Sequence, residues 1–298
     1  MIPVVLFVYR RPAHTQRVLS ALRKNNIDLL YVFSDAGTGP KDNILVEKTR
    51  ELINKIDWVE KIGFFHNEHK GLASSVIEGI SNVLHSFDKV VVLEDDCIPA
   101  PGFYAYMRQC LLYYEKVEQV SCVSAFLHPL NKTVFEDYNY DVFFWKRFWS
   151  WGWGTWRRAW QNFDPDLKSL VEKAKKSGLD TSVFGRDVSL VKIEKEMGKI
   201  DSWAMPFFLS MVLNNTFSVY PVKSYIQNIG FDGSGTHCFS SNKYRVHPSD
   251  ASAQDSLRFP EGIIEEGKII REIVNFVNSG NRKSFLRRIK EDILRKQL

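Results

Sequence analysis

Cysteine is scarce in this sequence, and no two cysteines form a CxxC pair. The four cysteines are scattered along 298 residues, at Cys97, Cys110, Cys122 and Cys238. Zinc knuckles and disulfide frameworks both need regularly spaced cysteines. The pattern therefore excludes both kinds of site and predicts reduced thiols in a cytoplasmic protein.

Long hydrophobic runs are also missing. No apolar run approaches the ~20 residues that span a bilayer. The first residues, MIPVVLFVYRRPAH, lack the basic segment and small-residue cleavage site of a secretory signal. We therefore expect a cytoplasmic protein whose first strand begins almost at the initiator methionine.

Excess positive charge is absent from the body of the chain. The net charge is +5, but residues 281–298, NRKSFLRRIKEDILRKQL, hold seven Lys/Arg and two acidic residues, which leaves 33 of each sign elsewhere. A nucleic-acid-binding fold needs a basic face, so we expect no nucleic-acid partner. The tail predicts a basic amphipathic helix. It either contacts an anionic membrane surface peripherally or docks on the body with solvated charges.

Short apolar runs alternate with helical patterns over the first 125 residues. Strands are predicted at 3–9, 29–35, 61–67, 89–95 and near 120–125, with helices of 10–15 residues between them. Val-, Leu- and Phe-rich strands separated by helices are typical of a mostly parallel sheet flanked by helices. The sequence therefore predicts an α/β fold of the Rossmann-like type.

Polar residues follow the predicted strands where each strand ends. They include Arg10, Arg11, Asp35, Lys70, Glu94, Asp95 and Asp96. In parallel sheets ligands bind beyond the carboxyl ends of the strands. We therefore expect these side chains to meet at one site.

Three adjacent carboxylates end the fourth strand, in KVVVLEDD (89–96). Such a cluster repels itself unless positive charge lies within it; a solvated acidic turn is the alternative. Hard divalent cations prefer carboxylate oxygens and bind phosphates at the same time. Because side chains alternate along a strand, Glu94 and Asp96 point one way and Asp95 the other. The cluster therefore indicates a Mg²⁺ or Mn²⁺ site that also holds a nucleotide diphosphate.

Two later segments carry further candidates. FFWKRFWSWGWGTWRRAW (143–160) contains six of the eight tryptophans, which either pack in the core or form the wall of an acceptor site. We assign Trp151, Trp153 and Trp203 to such a wall. The glycine-rich GFDGSGTHC (230–238) predicts a loop that closes over phosphate, with His237 as a metal ligand or an ordinary polar residue.

The ordered set of motifs resembles the GT-A-fold glycosyltransferases, most closely the N-acetylglucosaminyltransferase I family and its bacterial relatives. VVVLEDDCIPAPGFYAYM is similar to their metal-binding strand, FVYRRPAHTQRVLSAL to their first strand and helix, and FSDAG to their uracil-reading turn. HNEHKGLASSVIEGI, WGWGTWRRAW and KIDSWAMP resemble later motifs, so the resemblance covers about residues 3–240. One departure is Arg10, where the family usually has Asn.

The resemblance implies roles for single residues. Asp96 and His237 would hold the metal. Asp201, with Asp232 as its competitor, would deprotonate the acceptor hydroxyl. Contacts with the nucleotide sugar would come from Arg10, Arg11, Asp35, Lys70, Glu94 and Asp95.

The resemblance also implies a division of the chain. Residues 1–125 would form a nucleotide-sugar-binding half, 126–260 an acceptor-side and catalytic half with a smaller lobe, and 261–298 a helical basic tail. The implied activity is metal-dependent, inverting transfer of a sugar, from a UDP-sugar by preference. The acceptor would be a hydroxyl of a glycan or lipid-linked glycan, in bacterial surface polysaccharide synthesis.

Two other functions stay open at this point. A sugar nucleotidyltransferase uses a similar sheet, but it normally has a glycine-rich loop after the first strand, and RRPAHT contains no glycine. A carbohydrate- or nucleotide-binding protein without catalytic activity would keep the tryptophan-rich groove.

Overall fold

Ten strands and nine helices are found in the computed structural model, which describes residues 1–199, 201–233, 241–248 and 255–279. The strands are β1 Val4–Val8, β2 Leu29–Ser34, β3 Glu60–Phe65, β4 Lys89–Glu94, β5 Cys97–Pro99, β6 Val120–Ser124, β7 Val142–Trp145, β8 Trp153–Trp156, β9 Phe217–Pro221 and β10 Ile226–Asn228. The predicted strands of the first 125 residues are therefore present, with shifts of one or two residues at their ends.

The helices alternate with the strands in the first half, as the sequence predicts. They are α1 Pro12–Leu22, α2 Pro40–Asn54, α3 Leu72–Ser86, α4 Phe103–Tyr113, α5 Arg157–Trp160, α6 Leu167–Lys176, α7 Leu190–Glu196, α8 Ala204–Leu213 and α9 Gly267–Ser279. Proline stands at the first position of α1 and α2, where its fixed φ suits a helix start and its missing N–H costs no hydrogen bond.

Eight strands form one sheet in the order β3-β2-β1-β4-β8-β6-β9-β7. β1 pairs in parallel with β2 and β4, β2 with β3, and β6 with β9. β8 is antiparallel to β4 and β6, and β7 is antiparallel to β9. Six of the eight strands therefore run in the same direction, so the prediction of a mostly parallel sheet is confirmed.

Helices cover both faces of this sheet, because alternate strand residues point to opposite sides. Val4 and Leu6 pack on one face with residues of α1, α2 and α4, whereas Val5 and Phe7 pack on the other with residues of α3, α8 and α9. Val4, Val5 and Leu6 are fully buried. The chain thus forms a three-layer α/β/α arrangement with an apolar core on each side of the sheet.

A second, two-stranded sheet pairs β5 with β10 in antiparallel fashion. The regions 1–125 and 126–260 both contribute strands to the large sheet. The predicted basic helix within 281–298 lies outside the described residues. Within the described ranges, no helix combines the length and the hydrophobicity needed to cross a bilayer.

Candidate functional site

An arginine joins the carboxyl ends of the neighbouring strands β1 and β4. Arg11 donates from Nε and Nη2 to Oδ1 of Asp95, at 3.0 and 2.5 Å, and from Nη2 to Oδ2 of Asp96 at 2.8 Å. The backbone N–H of Tyr9 donates to the other oxygen of Asp95 at 3.2 Å. Since β1 and β4 are parallel neighbours, residues that follow these two strands meet here.

The acid cluster carries more negative charge than Arg11 neutralises. Burial and the charges of Asp96 and Asp95 raise the pKa of Glu94 to about 8, although Arg11 opposes the shift. Burial also raises the pKa of Asp95, again against the effect of Arg11. Burial lowers the pKa of Arg11, but the two aspartates outweigh it and raise that pKa overall. At neutral pH Arg11 is therefore charged and Glu94 keeps its proton.

The loop after β10 covers Asp96. The amide of Asn228 lies 3.4 Å from Oδ1 of Asp96, and the Sγ of Cys97 lies 3.4 Å from the same oxygen. A Cβ added to Gly230 would come within 2.2 Å of Oδ2 of Asp96. Glycine is therefore required at position 230 for the loop to approach this carboxylate so closely.

Asp35 holds together the turns that follow β2 and β3. Its Oδ1 accepts the backbone N–H groups of Ala36 and Lys70, both at 2.9 Å. Its Oδ2 accepts the N–H of Gly71 at 3.0 Å and lies 3.0 Å from Nδ1 of His69. The side chain is 9% exposed, so Asp35 organises this loop through four donors.

Tyr9 and His69 form a pair of rings beside Asp35. Their centroids lie 5.4 Å apart at an interplanar angle of 38°. The hydroxyl of Tyr9 donates to Asp42 at 3.2 Å, and Nη1 of Arg10 donates to Asp42 at 2.6 Å. Arg10 therefore pairs with α2, whereas Arg11 pairs with the acid cluster.

Asp201 lies at the start of α3, on the same edge of the sheet. Its Oδ2 accepts the backbone N–H of Ala73 at 3.2 Å. Gly71 has a φ of +82°, and a Cβ there would lie 2.6 Å from that oxygen. Asp35 accepts the N–H of Gly71, and Asp201 lies next to the Cα of the same glycine. The two carboxylates therefore flank Gly71, although 166 positions separate them in the chain.

The other predicted polar residues lie near this edge or outside the described part. Lys70 forms an ion pair with Glu78, on the exposed side of α3. Asp232 lies 3.1 Å from Nε2 of His14, in the first turn of α1. His237 lies outside the described residues.

The three tryptophans assigned to a sugar-binding wall occupy different environments. Trp153 and Trp203 are 0% and 2% exposed and stack on each other at 5.1 Å, inside the core. Trp151 is half-buried, with Phe231 and Tyr244 at 5.2 and 5.4 Å. Of the three, only Trp151 has a face near the loop that covers Asp96.

Sequence reasoning missed three residues of this site: Tyr9, Asn228 and Tyr244. Tyr9 directly precedes Arg10, so its position at a strand end was a usable signal. Asn228 ends the short strand β10 and Tyr244 stands in an irregular segment, and no pattern in the sequence around them indicates their contacts.

A divalent cation fits this arrangement only if a bound phosphate and water complete its coordination. Asp95 accepts three hydrogen bonds, whereas, among the described residues, Oδ1 of Asp96 has only the two contacts of 3.4 Å. Among the described residues, no group of three or more His, Cys, Asp or Glu side chains is placed to enclose an ion. This donor set suits Mg²⁺ or Mn²⁺ bound by one or two carboxylates, with phosphate and water as its remaining ligands.

Comparisons with known proteins add a distant likeness of fold. No protein-family model matches the chain, and no curated protein matches it. A mannosyltransferase from Pyrobaculum calidifontis, solved with GDP-Man and Mn²⁺, is 13% identical with a TM-score of 0.42, covering 72% of this chain and 68% of that chain. A UDP-glucose pyrophosphorylase, solved with UDP-glucose, is 12% identical with a TM-score of 0.37, covering 74% of this chain and 90% of that chain. At this level the likeness assigns neither a substrate nor a residue role.

Proposed function

We propose that this protein is a metal-dependent, inverting glycosyltransferase. It takes a sugar from a nucleotide-diphosphate sugar, a UDP-sugar by preference, and transfers it to a hydroxyl of a glycan or lipid-linked acceptor. The observation that carries the proposal is the joining of Arg11, Asp95 and Asp96 at the carboxyl ends of β1 and β4. A guanidinium among more carboxylates than it can neutralise suits a site for a cation and a diphosphate.

The diphosphate would lie against Asp96 and Arg11. Asp96 would hold the metal, with the predicted help of His237, and the bound metal would stabilise charge on the leaving diphosphate. Nη1 of Arg11 is buried and has no hydrogen-bond partner among the described residues. An unpaired buried donor carries an energetic cost, so we assign this N–H to a phosphate oxygen.

The nucleobase of the nucleotide sugar would lie beside Tyr9 and His69. Nδ1 of His69 lies 3.0 Å from a carboxylate oxygen of Asp35 and 2.9 Å from the carbonyl oxygen of Ala36. Both neighbours are acceptors, so Nδ1 carries the proton and Nε2 of the neutral ring is an acceptor. Uracil offers a ring N–H to such an acceptor and cytosine does not, which supports the preference for UDP over CDP.

Asp201 would be the general base of an in-line attack on the anomeric carbon. Its carboxylate is exposed and lies beside Gly71, on the edge of the sheet where Asp35 also lies. Exposure leaves it able to accept a proton from an acceptor hydroxyl. Asp232, beside His14, is the alternative base, and Trp151 would contact the acceptor sugar.

Calorimetry with nucleotides tests the proposal. UDP, GDP and CDP are titrated with and without Mn²⁺ into the wild type and Asp96→Ala, with Asp57→Ala as an exposed control. We expect UDP to bind only with the metal, and only Asp96→Ala to abolish that binding. Binding that ignores both metal and Asp96 would overturn the proposal.

Turnover separates the enzyme from a binding protein. Asp201→Asn should still bind UDP with Mn²⁺ but lose UDP release in the presence of a UDP-sugar and acceptor, whereas a binding protein shows no turnover in either form. Pyrophosphate release from UTP and a sugar phosphate would instead indicate a sugar nucleotidyltransferase. Roles in bacterial surface polysaccharide synthesis, in the cytoplasm or at the inner face of the membrane, remain predictions from the sequence.

A further inference from the structure

A groove of about 490 Å³ runs between α1 and the small β5/β10 sheet. Its volume is within the range of ligand-binding clefts, and the nucleotide site described above does not include it. The described residues that line it are Gln16, Arg17, Ser20, Ala21, Lys24, Ile98, Pro99, Ala100, Pro101, Gln227, His247 and Pro248.

The groove is lined by basic residues without acidic ones. Arg17 of α1, Lys24 directly after α1 and His247 all line it, and no Asp or Glu is among the described lining residues. Residues 10–27 contain five Lys/Arg and no acidic residue. No side-chain hydrogen bond or ion pair joins Arg17 or Lys24 to the described part of the chain, whereas Arg10 and Arg11 are both paired. The groove therefore has a positive potential that favours negatively charged ligands.

Both walls of the groove begin beside Asp96, the proposed metal ligand. α1 starts one residue after Arg11, which bonds Asp96, and β5 starts at Cys97, directly after Asp96. On the second strand of the small sheet, Asn228 lies 3.4 Å from Asp96 and Gln227 lines the groove. A chain lying in the groove would therefore have one end directed toward the side of the fold where Asp96 lies.

The floor and walls differ in chemistry in a way that suits a saccharide chain. Ile98 and Pro99 offer an apolar surface to the C–H faces of sugar rings. Gln16 and Gln227 offer amides to hydroxyl groups. Arg17 lies on α1, and Lys24 lies seven residues further along the chain, in the short 3-10 turn that follows α1.

We propose that the α1–β5 groove binds the part of the acceptor beyond the reacting hydroxyl, and that this acceptor is a linear oligosaccharide carrying negative charges. The inference rests on the proposed function and adds the chemical class of the acceptor. A concave groove with an apolar floor favours a chain over a flat bilayer surface. The two unpaired cations select for charge on that chain.

Binding of defined oligosaccharides tests the inference. Tetragalacturonate, a hyaluronan tetrasaccharide and neutral maltotetraose are titrated calorimetrically at 20 and 200 mM NaCl. We expect at least one acidic tetrasaccharide to bind at least tenfold more tightly than maltotetraose at low salt, and this binding to weaken as salt rises. Arg17→Gln/Lys24→Gln should weaken it at least tenfold and reduce its salt dependence.

A second helix provides a matched control. Lys48 and Lys55 are exposed, stand seven residues apart at α2 and form no ion pair among the described residues. Lys48→Gln/Lys55→Gln therefore removes the same charge at the same spacing and should leave binding within twofold of the wild type. Equal weakening by both double variants would mean a general charge effect and would overturn the inference.

Other outcomes decide between ligands. Failure of both acidic tetrasaccharides to bind would overturn the inference. Pyrophosphate binding in the groove as tightly as they do would also overturn it. So would sedimentation with phosphatidylglycerol vesicles that depends on Arg17 and Lys24, since the groove would then be a membrane contact. UDP affinity is measured separately. If only UDP binding fails, the proposed transferase function is wrong and the groove still binds acidic saccharides. If only tetrasaccharide binding fails, the proposed transferase function stands and the inference about the groove is wrong.

Discussion

Replacement of Arg11 by methionine is the perturbation that most directly tests the assembly of the site. Methionine keeps an unbranched side chain in place but removes the charge and every N–H donor. The Arg11 side chain is 18% exposed, and its partners Asp95 and Asp96 are 6% and 13% exposed. Three hydrogen bonds to these carboxylates are lost together.

The expected loss of stability is about 3 kcal/mol at pH 8. Removal of one partner from a buried ion pair costs about 3–5 kcal/mol because the other charge stays buried without compensation. The partial exposure of Arg11 favours the lower end, since water still reaches part of the cluster.

The loss of stability caused by Arg11→Met should become smaller as the pH falls. Without Arg11, the pKa values of Glu94 and Asp95, already raised by burial, rise further above their values in the unfolded chain. A carboxyl group with a raised folded pKa destabilises the fold as pH increases beyond its unfolded pKa. We therefore expect the stability loss to be largest near pH 8 and smallest near pH 5.

Urea unfolding followed by tryptophan fluorescence measures this effect. Arg17→Met is the control, because Arg17 lies six residues after Arg11, on α1, is exposed and forms no ion pair among the described residues; it should change stability by less than about 0.5 kcal/mol. Asp95→Asn in the Arg11→Met background should recover part of the loss. A loss below about 1 kcal/mol that does not change with pH would refute the reasoning.

Three further variants probe contacts around the same edge. Gly230→Ala puts a Cβ 2.2 Å from Oδ2 of Asp96 and should weaken Mn²⁺-dependent UDP binding at least tenfold by calorimetry; unchanged affinity would mean that the loop moves freely. Gly71→Ala strains a φ of +82° and crowds Asp201 at 2.6 Å, so it should cost about 1–2 kcal/mol in unfolding and lower kcat more than it raises KM. Glu94→Gln removes a carboxyl group with a pKa of about 8, so its gain in Tm should be larger at pH 8 than at pH 5; an equal gain at both would contradict the raised pKa.

The strands and their common edge could be predicted from the sequence because both depend on local pattern. Runs such as Val90–Leu93 can only be buried on both faces of a sheet. Polar residues directly after each run must then share the carboxyl edge. The meeting of Arg11 with Asp95 follows from strand adjacency, although the identity of the partner does not.

The rest of the site depends on contacts between distant parts of the chain. Asp201 meets Gly71 across 130 positions, and no periodicity links the two segments. The tryptophans illustrate a second limit, since composition does not reveal which ring is covered. Trp153 lies on a central strand and stacks on Trp203, whereas Trp151, two residues earlier, precedes that strand and stays half-buried.

The charge balance of the cluster distinguishes a ligand site from a structural ion pair. An ion pair that only stabilises a fold needs one acid for one base, as Arg147 and Asp187 form elsewhere in this protein. Here Arg11 faces Asp95 and Asp96, and Glu94 stands next to them with its pKa raised to about 8. With Glu94 protonated, Asp95 and Asp96 still exceed Arg11 by one negative charge. Burial of that charge costs stability, and an additional cation would remove the cost. The surplus therefore supports a bound cation at Asp96, and Mn²⁺ should raise the Tm of the wild type more than that of Asp96→Ala.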